Sequence, residues 1–363
     1  MTQANVLAQL GAQSGPTFRN RIINGAMVID QRNAGASVTA VDGVYTLDRW
    51  RTWSSQTSKF SIQQNAGGVT PPTGFKNYLG IGSVSSYSVT STDYFGVAQY
   101  IEGYNVADLA WGTANAKTVT LSFQVYSSLT GTFGGAINNS AFNRSYPFSY
   151  SIPVANAWTT ISVTIAGDTS GTWLSTNGIG MSVFFGIGVG SAVSTTAGAW
   201  AAGSYYSSTG ATSVVGTNNA FFAVTAIQLE VGSSATGYEY RQYQQELALC
   251  QRYYFRRNVV DASTDVVAIM QCYNSSGVYG KLFDLPVTMR ATPTGSLSSI
   301  THFRGSNSAG TNTAAFSAGF IDYLSPTTIG TQGFGSVSGL TAGNATTITG
   351  NTSSAWIAVS AEL

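Results

Sequence analysis

The chain has 363 residues, and its 18 Phe, 7 Trp and 19 Tyr outnumber its 16 basic and 15 acidic residues combined. Charged residues make up 9% of the chain, far below the usual quarter (about 25%), which excludes a coiled coil or a long-helix protein built from Glu and Lys. With 43% hydrophobic residues the chain can bury enough surface to offset its conformational entropy, so it is also not a disordered polymer. A net charge of +1 gives no basic footprint for nucleic acid and no polybasic run for a membrane surface. Residues 1–15 lack a basic stretch followed by an apolar one, and no apolar run reaches about 18 residues, so a soluble chain made in a cytoplasm, without membrane insertion, is expected.

Residues 1–18 are small and polar and read as an N-terminal arm. Beyond Arg19 come Ile22, Ile23, Met27, Val28 and Ile29 around Asn24-Gly25, a pair that favours a tight reversal. Short segments rich in β-branched and aromatic residues then follow at 59–63, 94–101, 118–126, 159–165, 181–189 and 221–230, separated by Gly, Ser, Asn and Pro. The run 118–126 alternates polar with apolar residues, as a strand with one wet face does, whereas 181–187 is apolar almost throughout, as a central strand is. Many such strands without intervening helices predict an all-β fold, an antiparallel jelly-roll sandwich over 19–235.

Between 236 and 257 the texture changes to helix formers, and Tyr240, Tyr243, Leu247, Cys250 and Tyr254 recur at intervals of three and four. A linker α-helix is predicted there, its seam lying on a sheet or packing against symmetry mates. β-texture resumes at 266–272, 279–288 and 355–359, which predicts a smaller C-terminal β-sandwich over 258–363.

Chemistry is scarce. One histidine, His302, and two distant cysteines, Cys250 and Cys272, cannot assemble a zinc motif, a four-ligand metal site or a disulfide framework, so no metal, cofactor or catalytic residue is expected. The cysteines read as ordinary thiols, a bridge remaining open if the mature object is extracellular, and His302 as a strand surface residue. No nucleophile elbow is present. The glycines from 186 to 190 lie in a β-run with no Lys and no helix after them, and read as strand, not as a phosphate loop. Glycoside cleavage needs only two carboxylates at the right separation, and Asp93, Glu102 and Asp108 stand among Tyr94, Tyr100, Tyr104 and Trp111.

Binding is better supported by composition. Sugar rings offer C–H faces to aromatic planes and hydroxyls to amides and carboxylates. Between Asp168 and Glu230 there is no charged residue, while Trp173, Trp200, Tyr205 and Tyr206 stand among Ser, Thr, Gly and Asn. The 200–206 loop is therefore the expected aromatic platform, and Trp200, Tyr205, Tyr206, Asp93 and Glu102 are the candidate glycan-contacting residues.

Two blocks carry a resemblance. Residues 19–33 (RNRIINGAMVIDQRN) with 45–50 (YTLDRW), and 227–236 (IQLEVGSSAT) running into 246–254 (ELALCQRYY), are similar to a family of tailed-bacteriophage and prophage virion proteins, the tail-fibre, collar or appendage components. Residues 286–294 and 360–363 resemble that family's C-terminal domain. The resemblance implies a jelly roll akin to carbohydrate-binding modules, a helix, a C-terminal β-domain and, commonly, a homotrimer. It does not reach residues 55–220. Read physically, these blocks are scaffold: Asn24-Gly25 turns the first strand, Asp48-Arg49 can pair beside Trp50, and Ile227 and Leu229 alternate with Gln228 and Glu230 as a closing strand does.

The expectation is thus a virion structural protein, a trimeric fibre-like appendage that docks on a tail, collar or head component through its arm. Its β-domains would face outward toward host-surface polysaccharide in host attachment. The rivals are a tail-associated glycan depolymerase using Asp93, Glu102 or Asp108, and a purely architectural collar or decoration protein without ligand.

Overall fold

The computed structural model describes residues 18–262, 265–306 and 312–363. Apart from Phe18, the expected docking arm lies outside them. The chain divides into one compact unit ending at Tyr243 and a second spanning Gln244–Glu362.

The first unit is all β. Its strands are β1 (Val38–Thr39), β2 (Tyr45–Leu47), β3 (Trp50–Ser54), β4 (Phe60–Gln64), β5 (Leu79–Ser83), β6 (Tyr94–Glu102), β7 (Val119–Ser127) and β8 (Gly131–Asn138). They continue with β9 (Arg144–Ile152), β10 (Thr159–Ile165), β11 (Ile179–Val189), β12 (Ser194–Thr195), β13 (Ala201–Ala202), β14 (Ser207–Ser208) and β15 (Phe221–Val231). Two antiparallel sheets result, a six-stranded one ordered β1-β4-β5-β15-β7-β10 and a seven-stranded one ordered β13-β9-β8-β11-β6-β3-β2. The chain passes repeatedly from one to the other, which makes the unit a jelly-roll sandwich.

Alternation decides which side chains meet between the sheets. Leu121, Phe123 and Val125 of β7 and Phe222 and Val224 of β15 face Phe95 and Val97 of β6 and Val183, Phe185 and Ile187 of β11, all buried in one cluster. Phe123 and Phe185 meet edge to face at 5.0 Å. The strand β11, apolar throughout, does sit centrally, between β8 and β6.

The blocks that carry the family resemblance form a buried polar latch. Asn20 donates to the Ile227 carbonyl at 3.0 Å, and its side-chain oxygen accepts from the Ile22 and Leu229 amides. Glu239 accepts from the Arg19 and Asn20 amides, and Arg241 donates to the Ile22 carbonyl and contacts Glu239 at 3.3 Å. Asn24 takes the left-handed conformation the turn needs, φ 57°, and its side chain joins the Ile29 amide and carbonyl to the Asp48 carbonyl. Asp48 accepts from the Gln31 amide and side chain, and Arg49 donates to the Tyr100 carbonyl from a fully buried position.

β15 holds an extra residue. Thr225 pairs with Gln124 and Gln228 with Ser122, so Ala226 is left over as a bulge at φ 56°. Phe222 and Val224 point inward before the bulge, Ile227 and Leu229 after it.

The helix is shorter than the sequence periodicity suggests, α1 (Tyr243–Gln251) instead of 236–257. Residues 236–241 are taken by the latch, where Thr236 and Glu239 bond Glu230 and Gln228. Tyr254 already belongs to a strand. The seam therefore does not exist as one helical face: Tyr240 precedes the helix, Tyr254 follows it, Tyr243 is exposed, Leu247 is half-buried, and the buried pair on α1 is Glu246 and Cys250.

In the second unit β16 (Tyr254–Asn258), β17 (Val266–Cys272), β18 (Val278–Asp284), β19 (Thr294–Leu297), β20 (Phe303–Ser306) and β21 (Asn312–Ala315) are followed by β22 (Ala318–Gly319), β23 (Tyr323–Leu324), β24 (Thr328–Gly335), β25 (Ala345–Gly350) and β26 (Trp356–Ser360). They form a β16-β26-β19 sheet and an eight-stranded sheet along β21-β20-β25-β17-β18-β24-β22, with β23 also on β24. Phe303, Phe316, Ile329, Phe334 and Ile348 fill their common core. His302 lies in a 3-10 turn, not on a strand, its Nδ1 2.9 Å from the Ser298 hydroxyl. Cys250 and Cys272 are both buried and form no disulfide with each other.

Candidate functional site

On the seven-stranded sheet, the residues out of phase with the core face outward. In β3, Trp50, Thr52 and Ser54 are buried while Arg51 and Trp53 are half-buried on the other side. Trp53 becomes the hub of a ring array. Tyr94 (6.1 Å) and Tyr100 (5.9 Å) reach it from β6, Phe184 (6.3 Å) from β11, Phe142 (5.1 Å) from the β8–β9 turn and Tyr206 (5.4 Å) from the loop before β14. Gly96, paired with Trp53 across the strands, lets the array form. A Cβ there would stand 2.4 Å from the Phe184 ring and 2.2 Å from the Phe185 carbonyl oxygen.

Arg51 lies over these rings, its guanidinium carbon 4.8 Å from the Tyr100 centroid and 5.1 Å from that of Trp53, a contact the ring quadrupole favours. Among the described residues it has no carboxylate within ion-pair distance. The Trp53 indole N–H is shielded and finds no acceptor there. Burial pushes the Tyr100 phenol well above its ordinary value despite Arg51, and raises Tyr94 as well, so both stay protonated and able to donate. The half-buried rings of Trp53, Tyr94, Phe142 and Tyr206, a cation with no carboxylate beside it among the described residues, and phenolic donors make a surface that can stack on a pyranose face and bond its hydroxyls or an acidic substituent.

The sequence-predicted residues fare unevenly. Tyr206 joins the array, its ring tilted against those of Trp53, Tyr94, Phe142 and Phe184. Tyr205 is tied down through its backbone, donating to the Ser145 hydroxyl and accepting from Asn138. The 200–206 loop is therefore fastened to the sheet and is no free platform. Trp200 belongs elsewhere, half-buried in a trio with the buried Trp111 (5.3 Å) and the half-buried Trp173 (5.4 Å), its indole N–H donating to the Ala166 carbonyl. Arg144 and Asp168 brace that trio through a two-pronged ion pair at 2.6 and 2.9 Å, and Trp173 donates to the same carboxylate.

Asp93 and Glu102 are buried and do not contact ligand space. Asp93 accepts from the Thr90 amide and hydroxyl, the Ser55 hydroxyl and the Tyr87 phenol. Burial raises its carboxyl, yet these hydrogen bonds together outweigh burial and hold it below its ordinary 3.8. The two acids flank opposite ends of the nine-residue β6, about 30 Å apart at ~3.4 Å per residue, so they cannot straddle one glycosidic bond. Asp108 sits on the surface with Arg21 at 2.8 Å and Lys117 at 3.8 Å.

The residues missed in the sequence are Arg51, Trp53 and Phe142. The first two were readable as the outward half of the Trp50–Ser54 alternation, but Phe142 comes from a turn, φ 51°, and nothing local marks it.

No protein-family model matches the sequence, and no curated protein sequence matches it. Solved structures with a similar fold include the enzymatically active domain of bacteriophage CBA120 tailspike protein 4, at 11% identity and a TM-score of 0.32, over 60% of this chain and 22% of that one. A family 11 carbohydrate-binding module from Clostridium thermocellum, in complex with a β-1,3-1,4-mixed-linked tetrasaccharide, is 13% identical with a TM-score of 0.27, over 55% of this chain and 98% of that one. The xylan-binding domain from Paenibacillus barcinonensis Xyn10C is 9% identical with a TM-score of 0.27, over 56% and 99%.

Proposed function

We propose that the chain is a structural component of a bacteriophage appendage, and that its jelly roll holds host-surface polysaccharide at the Trp53 ring array. The observation that carries the binding reading is the array itself: half-buried Trp53, Tyr94, Phe142 and Tyr206, backed by the buried Tyr100 and Phe184 and gathered under an arginine that has no carboxylate partner among the described residues. Arg51 favours a glycan with an acidic group beside a stackable sugar face. The virion role, assembly as a trimer and docking through residues 1–18 rest on the resemblance of the 19–50 and 227–254 blocks.

The binding test is affinity electrophoresis of the full chain through gels carrying bacterial capsular polysaccharide or lipopolysaccharide. Retardation that Trp53→Ala and Arg51→Ala weaken about tenfold, the loss of roughly 1.4 kcal/mol, supports the reading. Cleavage of the polysaccharide favours the depolymerase, and no retardation by any acidic glycan favours the architectural protein. Light scattering that gives a monomer removes the trimer, and particles that incorporate a chain lacking residues 1–18 remove the docking role.

A further inference from the structure

The opposite face of the sandwich carries a second feature that the Trp53 array does not explain. On the outer side of the six-stranded sheet, Gln124 pairs across the strands with Thr160, and Ser122 with Ser162. Two rungs of β7 and β10 thus point their polar ends to the same side. Three rings, Phe75, Tyr238 and Tyr240, wall this floor. Phe75 and Tyr240 stack at 5.3 Å and 30°, with Tyr238 edge-on to both at 5.2 and 5.0 Å. The open groove measures about 270 Å³, just under the ~300 Å³ at which clefts for whole small molecules begin. Such an opening suits a section of a longer chain.

We propose that this groove is a separate carbohydrate site for a neutral polysaccharide. No acidic or basic residue lines it, so an ionic ligand would gain no counter-charge there. Among the described residues no hydrogen bond uses the Gln124 amide or the Ser122, Thr160 and Ser162 hydroxyls, which leaves donors and acceptors available for sugar hydroxyls. Tyr240, 61% exposed, is held in place by its phenol on the Gly74 carbonyl at 3.2 Å, so its ring face is presented without much loss of side-chain freedom. At the floor stands Ala226, a non-glycine residue in the left-handed region in the middle of a long strand. A strained residue of this kind persists only where the surroundings impose it, and such residues cluster at binding sites. Tyr240, which sequence periodicity assigned to an oligomer seam, is in this reading a binding residue.

The test uses the full chain carrying Arg51→Ala and Trp53→Ala together, so that the two surfaces are separated. It is run through gels containing dextran, xylan or mixed-linkage β-glucan, and through gels containing the polyanions alginate or polygalacturonate. Retardation by at least one neutral polymer and by neither polyanion is expected, with about tenfold weaker binding after Tyr240→Ala. Ser162→Arg, at an exposed position on the edge strand β10, fills the groove from the far wall without disturbing the core and should weaken binding equally at an unchanged melting temperature. Absence of retardation by every neutral polymer overturns the proposal, as does retardation that both groove variants leave intact. Failure at the Trp53 array shows itself separately, in the acidic gels with Trp53 present.

Discussion

Ile227 donates its amide to the Gly25 carbonyl at 3.0 Å, and its own carbonyl oxygen lies 2.2 Å from where a Gly25 Cβ would stand. The first turn and the closing strand of the jelly roll are thus pressed backbone to backbone. Gly25→Ala should cost at least about 2 kcal/mol, because the added Cβ is fixed by its own backbone and the oxygen it meets is main-chain, so neither can rotate away. A melting temperature lowered by about 5 °C or more is the expected reading, and an unchanged one would mean that the contact is looser than described.

Asn20 is expected to be as sensitive. Its buried amide satisfies the Ile227 carbonyl and the Ile22 and Leu229 amides, so Asn20→Ala leaves three main-chain groups unpaired. A loss of about 3 kcal/mol in urea unfolding follows from the desolvation cost of such orphans.

Much of this was legible in the sequence. Alternation at 118–126 and the apolar run at 181–187 located β7 and β11 because strand periodicity is a local property that burial reinforces. The helix ends were not legible: Glu239 and Arg241 look like helix residues but are drawn into hydrogen bonds with Gln228 and Ile22, more than ten and two hundred positions away. The same holds for the sites. Tyr206 was named from its neutral surroundings, but its partners Trp53, Tyr94, Phe142 and Phe184 come from four other segments.

Acid should expose the role of Asp93. Its folded-state carboxyl titrates below the ordinary 3.8, so its stabilising effect is fully present above that value and is lost as the pH falls through the lower, folded one. Asp93→Asn should therefore be less stable than the wild-type chain at pH 7. The gap should begin to narrow below about pH 4 and go on narrowing as the pH falls further, as read from melting temperatures from pH 7 into the acid range. A gap independent of pH would show that the carboxylate is not what Thr90 and Tyr87 hold.

Trp200 and Trp53 should separate stability from binding. Trp200→Ala opens the trio with Trp111 and Trp173 and is expected to cost about 3 kcal/mol while leaving retardation in acidic-glycan gels unchanged. Weakened retardation with unaltered stability would restore Trp200 as a platform.

The leftover residue in β15 has a consequence for how this strand can change. Thr225 and Gln228 face outward on either side of the bulge, and Val224 and Ile227 inward. A chain lacking Ala226 would therefore keep every side chain on its present side and read as an unbroken strand. Deleting one residue from a regular central strand inverts everything beyond it, so this is a position where evolution can shorten or lengthen the chain by one without turning the core inside out.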